Sequence, residues 1–295
     1  MSAGSFNRFA RGAAIAALLL VIGAEAASGC ENPGQLRFSV IPMEDTQKQL
    51  AAYQPLFRRL ETALGKPVIA VTPSSYGSVV EGLLAGSIDL AVLGPASYVS
   101  AKRSDPDITV FATYAKKSGA FREEGPFYRS LLIVKKGGRL QTVESLRGAS
   151  LAFVDPVSTS GTILPSHVFP KVTGMPVNKY FGRITYAGDH IQAALAVLNG
   201  QVDAAFVSGT YLSELVRGGQ AKPEEFLVLW RSEPIPMDPI VYRGNLCGPL
   251  KDKIRKVFLE TDSEKDKTLL DNLRTTRFVP MNDADYRIIR ELPML

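Results

Sequence analysis

The sequence predicts an α/β protein built from two similar lobes. Short apolar runs typical of buried strands alternate with segments whose apolar residues recur at helical spacing, and this alternation is typical of βα units with mostly parallel sheets. The length of 295 residues exceeds the usual size of one compact core, which favours two lobes. In addition, the order of strands, turns and helices in the first half recurs in the second.

The predicted strands fall into two sets with a connecting segment between them. The first set covers residues 36–42, 68–73, 89–94 and 109–114, the connecting extended segment covers 128–135, and the second set covers 150–155, 180–186 and 203–208. Amphipathic segments lie between them. For example, Tyr53, Leu56, Phe57, Leu60 and Leu64 follow helical spacing, which predicts a helix over 53–64.

The two halves also agree in detail. "SVIP" opens the first set and "FVDP" the second, and the helices that follow end in "LGKPV" and "TGMPV", with a glycine as the stop signal in each. "LLAGSIDLAVLGPASY" parallels "VLNGQVDAAFVSGTY". Ten positions before Gly86 lies Tyr76, and ten before Gly200 lies His190. Tyr76 and His190 are therefore expected at equivalent helix starts, on the two sides of a cleft between the lobes.

The chain crosses between the lobes twice. Residues 128–135 carry it into the second lobe, and 226–243 carry it back, with prolines 234, 236 and 239 stiffening a hinge. Residues 248–295 are predicted to form helices that return to the first lobe. The expected lobes are therefore 30–131 with 237–295, and 132–236.

The N-terminal thirty residues have the features of a secretory signal peptide. Arg8 and Arg11 precede an apolar run over 13–22, and small residues follow in "GAEAASGC". The run is too short to span a bilayer as an anchor. We therefore expect residues 1–29 to be a signal peptide and the mature protein to reside in the periplasm.

Two cleavage schemes give Cys30 different fates. Cleavage after the A-x-A site at 24–26 leaves Cys30 in the mature chain, where it can pair with Cys247 in an oxidising compartment. Alternatively, "ASGC" resembles a lipobox, in which Cys30 becomes a lipidated N-terminus. The apolar run ends well before Cys30, whereas lipoboxes usually abut it, and this favours the first scheme.

A cluster of hydroxyls marks the candidate ligand site. In "DPVSTSGTILPSHVF", Ser158, Thr159 and Ser160 precede a predicted helix, and one helix cap does not require three hydroxyls. A helix N-terminus offers unpaired N–H groups and the positive end of a dipole, so it attracts anions. Gly161 lets a ligand approach the backbone. The stretch thus predicts an oxyanion site, although an isolated S-T-S-G also fits a plain cap and polar loop.

Three other side chains are candidates for the same site. His190 can donate a ring N–H, and Tyr76 a phenol hydroxyl, from helix starts that face the hydroxyl cluster. Asp238, in the hinge segment "PIPMDPIVYR", can accept the proton of an acidic P–OH, although an aspartate before a proline also fits a turn. His167 is interpreted as structural.

Composition excludes several classes of function. The basic residues are scattered among acidic ones, without a Lys/Arg block of the kind that grips nucleic acid. Two histidines and two cysteines, far apart in the sequence, make no credible metal site.

Taken together, these stretches resemble the phosphonate- and phosphite-binding proteins of ABC importers, which are type II periplasmic binding proteins. The resemblance covers about 36–262 and lies in "LRFSVIP", "SSYGSVVEGLLAGSIDLAVLGPASY", "STSG", "AGDHIQAALAVLNGQVDAAFV" and "PIPMDPIVYR". It implies a phosphorus oxyanion as ligand, an ABC permease in the inner membrane as partner, a monomer, and no cofactor. The family's ligand-binding residues correspond here to Tyr76, Ser158, Thr159, Ser160, His190 and Asp238.

Two departures from the family bear on the ligand. Members that take aminoalkylphosphonates add a carboxylate in the loop after the strand at 203–208, where this chain has Ser208, Gly209, Thr210 and Tyr211. Some also carry an aromatic residue near position 93, which is a leucine here. Both differences favour a small ligand such as phosphite, methylphosphonate or phosphate.

Two other classes of function compete with a transport receptor. A sensing module that presents its closed form to a signalling partner has the same sequence features. An enzyme on this fold would need a nucleophile, for example Ser160 with His190, but no G-x-S-x-G turn is present. A non-catalytic binding protein is therefore the expected function.

Overall fold

Two central sheets organise the part of the chain that the computed structural model describes, residues 29–43 and 45–293. The predicted signal peptide lies, except for its last residue, outside these residues. The strands are β1 (Leu36–Val40), β2 (Val68–Ala70), β3 (Leu90–Val92), β4 (Thr109–Lys116), β5 (Phe127–Tyr128), β6 (Ser130–Lys135), β7 (Ser150–Phe153), β8 (Arg183–Tyr186), β9 (Ala204–Ser208), β10 (Phe226–Arg231), β11 (Ile235–Pro236), β12 (Ile240–Tyr242) and β13 (Thr275–Pro280).

Helices cover both sheets. They are α1 (Thr46–Ala51), α2 (Gln54–Leu64), α3 (Tyr76–Leu84), α4 (Pro95–Ser104), α5 (Leu164–Val168), α6 (Pro170–Thr173), α7 (Val177–Tyr180), α8 (His190–Leu198), α9 (Gly209–Arg217), α10 (Gly248–Leu259), α11 (Lys267–Asn272) and α12 (Arg287–Arg290). A π-helical turn, Thr159–Ile163, precedes α5. In the described ranges, no helix combines the length and the apolar character needed to cross a bilayer.

Each sheet combines parallel and antiparallel pairs. The six-stranded sheet of lobe 1 has the order β13-β4-β12-β3-β1-β2, and the five-stranded sheet of lobe 2 has the order β10-β6-β9-β7-β8. The parallel pairs join β1 to β2 and β3, and β7 to β8 and β9. They are confined to these βα repeats, because the strands that arrive from the crossings, β12 and β6, run in the opposite direction.

The sequence repeat therefore corresponds to a structural repeat. β2-β1-β3-β12 in lobe 1 has the same arrangement as β8-β7-β9-β6 in lobe 2. The aspartates of the two repeated motifs make the same contact: Asp89 accepts the backbone N–H of Arg37 at 2.8 Å, and Asp203 accepts that of Ser150 at 2.8 Å. Each carboxylate thereby fixes the start of the neighbouring strand.

Two expectations for local structure were wrong. Residues 248–295 contain β13 as well as helices, and β13 pairs with β4 at the edge of the lobe 1 sheet. Tyr180, expected in a strand, ends the short helix α7 that begins after Pro176. A proline before the first helical residue favours such a turn, and the strand starts only at Arg183.

The crossings form a small sheet of their own. β5 and β11 pair antiparallel, with Tyr128 opposite Ile235 and Phe127 opposite Pro236. The backbone N–H of Met237 donates to Pro126 at 2.9 Å. We propose that the limits of the lobes, 30–131 with 237–295 and 132–236, lie at these paired strands.

The predicted pairing of Cys30 with Cys247 is confirmed, because the two cysteines form a disulfide. Next to it, the buried Arg243 guanidinium lies 2.5 Å from the Glu31 carboxylate and 2.8 Å from that of Asp89. The segment at Cys30 and Glu31 is thus fixed to lobe 1 by a covalent bond and by an ion-pair network with buried members.

Candidate functional site

The repeat places Tyr76 and His190 at equivalent helix starts. Tyr76 is the first residue of α3 and follows the cap Ser75, whose hydroxyl accepts the N–H of Ser78. His190 is the first residue of α8 and follows the cap Asp189, which accepts two N–H groups of the first turn. Because both side chains are buried, at 1% and 5% exposure, both belong to the interior of the closed molecule.

The hydroxyl loop adopts a turn that the sequence did not predict. Ser158 caps the π-helical turn and accepts the N–H of Gly161 at 3.2 Å, and only after this turn does α5 begin. A Cβ at Gly161 would lie 2.4 Å from Val154, so close packing within lobe 2 itself requires the glycine. Wide turns of this kind occur often at functional sites.

The three hydroxyls of the loop have different surroundings. Thr159 Oγ1 accepts the backbone N–H of Ala96 in lobe 1 at 2.8 Å. Ser160 Oγ is buried and has no hydrogen-bond partner among the described residues, whereas its backbone carbonyl accepts the Ser130 hydroxyl at 2.6 Å. An unpaired buried hydroxyl costs free energy unless a ligand or a water satisfies it. Of the three hydroxyls of Ser158, Thr159 and Ser160, that of Ser160 is therefore the one that most needs a partner, and the Thr162 hydroxyl in the same turn is also buried and unpaired.

His190 is held as a neutral donor. Its Nδ1 accepts the backbone N–H of Ser208 at 3.1 Å, so the ring proton is assigned to Nε2. Burial lowers the pKa of His190 to about 3, and the ring stacks on Tyr211 with centroids 5.0 Å apart. The imidazole can therefore donate through Nε2 without carrying a charge.

Asp238 lies at the hinge, where both lobes reach it. It is 5% exposed, and the Tyr211 hydroxyl of lobe 2 donates to its Oδ2 at 3.3 Å. Burial raises the pKa of Asp238 to about 7, against the opposing influence of the Lys116 ammonium and the Tyr211 hydroxyl. Close to neutral pH this carboxyl can therefore either accept or donate a proton.

Tyr128 was not among the site residues predicted from the sequence, which placed it only at the start of a crossing strand. It is 4% exposed, and burial followed by the charge of Asp238 raises the pKa of its phenol well above the usual value. The hydroxyls of Ser160 and Thr159 lie near this phenol and lower its pKa in turn. Ser160 Oγ nevertheless makes no regular hydrogen bond with it. Tyr128 lies in β5, which pairs with β11 just before Asp238. The signal that could have identified Tyr128 is its position in the crossing segment that meets the hinge.

Burial and charge link Tyr76 to the same region. Burial first, and then the Asp238 carboxyl, raise the pKa of the Tyr76 phenol well above its usual value. Five of the six predicted residues are thus connected around the hinge, whereas Ser158 is not. Asp238 acts on the phenols of Tyr76 and Tyr128, Thr159 and Ser160 lie near Tyr128, and Tyr211 links Asp238 to His190.

Direct bonds between the lobes show that the molecule is closed. Besides the bond between Thr159 and Ala96, the Ser97 hydroxyl donates to the backbone carbonyl of Val157 at 3.2 Å. A cavity of about 790 Å³ also lies between the lobes, and none of these four residues lines it. Asp238 lines the cavity, and the other five predicted residues do not. Within the described ranges, no three His, Cys, Asp or Glu side chains are grouped as a metal site.

Comparison with known proteins agrees with this architecture. Residues 38–286 match the family model described as the phosphonate periplasmic substrate-binding protein of ABC transporters. The chain is 31% identical to the phosphonates-binding periplasmic protein of Escherichia coli over 90% of this chain and 77% of that protein. It is 28% identical to the phosphate-import protein PhnD of Mycolicibacterium smegmatis over 99% of this chain and 97% of that protein.

Solved structures show the same fold. A binding-protein component of an ABC phosphonate transporter from Pseudomonas aeruginosa superposes with a TM-score of 0.78 at 26% identity, covering 88% of this chain and 85% of the other. PhnD1 from Prochlorococcus marinus, solved with methylphosphonate, gives a TM-score of 0.76 at 19% identity, covering 88% and 97%. The fold is that of type II periplasmic binding proteins, and the chain belongs to the family of phosphonate-binding periplasmic substrate-binding proteins of ABC transporters.

Proposed function

We propose that this protein binds a small phosphorus oxyanion that keeps one proton, such as phosphite, methylphosphonate or phosphate, between its lobes. It then delivers the ligand to the permease of its ABC importer. The names of its relatives include both phosphate import and phosphonate binding, so the choice of ligand depends on the chemistry of the site.

The observation that carries the proposal is the meeting of neutral donors with one titratable carboxyl. Ser160 Oγ lacks a partner, and His190 has its Nε2 proton free of the bond made by Nδ1. Uncharged donors in a buried site can hold an anion without a competing counter-charge. Asp238, with a pKa of about 7, would accept the proton of a P–OH group and repel an anion that has none.

Each predicted residue has a role in this proposal. Ser160 and His190 donate to the phosphoryl oxygens, and Ser158 and Thr159 hold the loop. Asp238 takes the P–OH. Tyr76 and Tyr128 close the site from the hinge side, and burial keeps both phenols protonated.

We further propose binding without turnover. For Ser160 to act as a nucleophile, His190 would have to remove its proton, and an effective general base has a pKa near the working pH. The pKa of His190 is about 3, and its Nδ1 lone pair is occupied by the Ser208 N–H. Incubation with methylphosphonate and a phosphonate ester, followed by ³¹P NMR, should show both compounds unchanged.

Thermal shift and calorimetry on mature protein test the choice of ligand. Phosphite, phosphate and methylphosphonate should raise the melting temperature, because a ligand that binds only the folded state stabilises it. Sulfate, which has no proton to give to Asp238 near neutral pH, should leave it unchanged. Stabilisation by sulfate equal to that by the phosphorus oxyanions would contradict the proposal, and so would failure of every phosphorus ligand to bind.

A further inference from the structure

The 790 Å³ cavity beside Asp238 is far larger than a methyl group needs. Asp238 and Tyr211 both line it, and Tyr211 stacks on His190. The cavity therefore adjoins the proposed phosphoryl site along the side of the hinge aspartate. A substituent on phosphorus that pointed past Asp238 would enter this space.

A buried hydroxyl without a partner lies in the wall of the cavity. Thr210 is 3% exposed, and its Oγ1 has no hydrogen-bond partner among the described residues. Thr210 is the second residue of the nine-residue helix α9, so its hydroxyl lies at the positive end of the helix dipole. A free donor at that end of a helix favours an acceptor that carries negative charge.

The charged lining has an excess of cations. Lys48, Lys116, Arg217 and Arg274 line the cavity together with the acids Asp45, Glu214 and Asp238. Arg217 is paired with Glu214 at 2.7 Å, whereas Lys116 and Arg274 appear in none of the ion pairs of the described residues. Lys48 has no ion pair among the described residues either, so three of the four lining cations lack a paired acid. Lys116 and Arg274 are the two of these that are partly buried, and Lys116 also lies over the Tyr114 ring at 4.5 Å.

Lys116 and Arg274 differ in their local surroundings. Burial lowers the pKa of Lys116 to about 8, and its ammonium donates to the backbone carbonyl of Leu273 rather than to an acid. Arg274 has φ of 49°, and it is the one non-glycine residue with positive φ in the described ranges. This left-handed conformation follows the C-cap of α11, where the Arg274 N–H donates to the Asp271 carbonyl at 3.1 Å, and it is a common way to end a helix. An anion in the cavity would stabilise both side chains.

We propose that this cavity is a second subsite of the ligand site, and that it takes the acidic end of a phosphonate whose substituent carries a carboxylate. The proposal rests on the proposed function, because it assumes that the phosphoryl group occupies the site around Ser160 and His190. The Thr210 hydroxyl would donate to the carboxylate, with Lys116 and Arg274 supplying the opposite charge.

One group in the wall has the opposite preference. Gln49 Oε1 is also buried without a partner, and as an acceptor it would suit a hydroxyl or an ammonium group. Its amide Nε2 already donates to the backbone of Ile41 at 3.2 Å. The test therefore includes a cationic ligand of similar length, so that the sign of the preferred charge is measured directly.

Calorimetry with a matched ligand series tests the proposal. The series comprises methylphosphonate, propylphosphonate, 2-aminoethylphosphonate, phosphonoacetate and 3-phosphonopropionate. At least one of the two carboxylates should bind about tenfold tighter than propylphosphonate, equivalent to about 1.4 kcal/mol. 2-Aminoethylphosphonate should bind more weakly than that carboxylate. Equal affinities for the carboxylates and propylphosphonate, or the tightest binding by 2-aminoethylphosphonate, would overturn the proposal.

Two variants connect the preference to this wall. Thr210→Val and Arg274→Gln should each reduce the preference for the carboxylate by about threefold or more, as expected for the loss of one hydrogen bond or one partly screened charge. Methylphosphonate, which does not reach the subsite, should keep its affinity. Lys48→Gln is the matched control, because this lining cation is exposed and screened. An unchanged preference in both test variants would refute the role of this wall.

The same series separates two kinds of failure. If methylphosphonate and phosphite bind the wild-type protein but the carboxylates bind no tighter than propylphosphonate, only the proposal of the second subsite is wrong. If no phosphorus compound binds at all, the proposed function itself is wrong.

Discussion

Thr159 and Ala96 join the two lobes across the cleft. The Thr159 hydroxyl in lobe 2 accepts the backbone N–H of Ala96, in the first turn of α4 in lobe 1, at 2.8 Å. The N–H groups of a first helical turn lack partners within their own helix, so Thr159 supplies one that exists only when the lobes meet. Closure and the candidate ligand site therefore share a residue.

Replacing Thr159 by Val should weaken ligand binding about tenfold, because the closed form then leaves the Ala96 N–H unsatisfied. Thr159→Ser, which keeps the hydroxyl, should restore most of the affinity. Thr173→Val is a suitable control, since the Thr173 hydroxyl donates within lobe 2 to the backbone carbonyl of Met175 at 3.0 Å. Calorimetry with methylphosphonate measures the effect. An affinity of Thr159→Val equal to that of the control would show that this bond does not contribute to binding.

Replacing His190 by Ala should weaken oxyanion binding at least about tenfold, around 1.4 kcal/mol, because a buried donor to a charged group is lost. His167→Ala is the control, since His167 lies in α5 and lines neither the proposed site nor the cavity. The loss should be the same at pH 5.5 and pH 7.5, because His190 with a pKa of about 3 stays neutral across that range. Unchanged affinity in His190→Ala would remove this residue from the site.

Asp238→Asn should change how stability depends on pH. The pKa of Asp238 in the folded protein, about 7, lies above its ordinary value of 3.8. A raised pKa means that the folded state binds more protons than the unfolded state between those values, so the stabilising contribution is lost as pH rises toward 7. Between pH 5 and 7.5 the wild-type protein should lose on the order of 2 kcal/mol of its free energy of unfolding through this group. The Asp238→Asn variant should not show this loss, because asparagine does not titrate.

The melting temperature of Asp238→Asn relative to wild type should therefore rise by about 4–8 °C over this pH interval. The depressed pKa of His190 affects both proteins equally and cancels in the difference. Lys116 does not cancel in the same way, because the charge of Asp238 raises its pKa of about 8 and the substitution removes that charge. The lower pKa of Lys116 in the variant makes the variant gain stability as pH rises, so it adds to the same difference. A difference that does not vary with pH would show that Asp238 titrates normally.

The disulfide favours one of the two predicted fates of Cys30. A cysteine bonded to Cys247 is not available for lipid attachment, so we expect the mature protein to carry no lipid. Intact-mass measurement of protein purified from the periplasm should give an unlipidated chain without free thiols. A mass increased by a diacylglyceryl group, with the protein in the membrane fraction, would contradict this expectation.

Removing the bond should lower stability. A disulfide that closes a loop of more than 100 residues is expected to contribute about 4 kcal/mol through the unfolded state. Cys30→Ser with Cys247→Ser should therefore lower the melting temperature, and ligand affinity should change little because neither cysteine lines the cavity between the lobes. The single variant Cys30→Ser should behave like the double variant.

Local patterns predicted most of the secondary structure, since each strand of the repeat is marked by its own apolar run and each helix by its own stop signal. Gly65 and Gly174 end helices in the left-handed conformation, as the motifs indicated. β13 was missed because its sequence, "TTRFVP", lies at a sheet edge where only Thr275 and Phe278 of its six residues are buried. A strand whose existence depends on pairing with β4 leaves a weak signal in its own sequence.

By itself, the sequence determined the two related halves, the equivalent helix starts at Tyr76 and His190, and the hydroxyl loop, because repeats, caps and turns are encoded by residues close together in the chain. Only the tertiary structure decided the bond from Thr159 to Ala96 and the presence of Tyr128 at the hinge. It also decided the neutral state of His190 and the raised pKa of Asp238. These properties depend on which distant groups exclude water from a side chain, and that is fixed only when both lobes have folded and closed on each other.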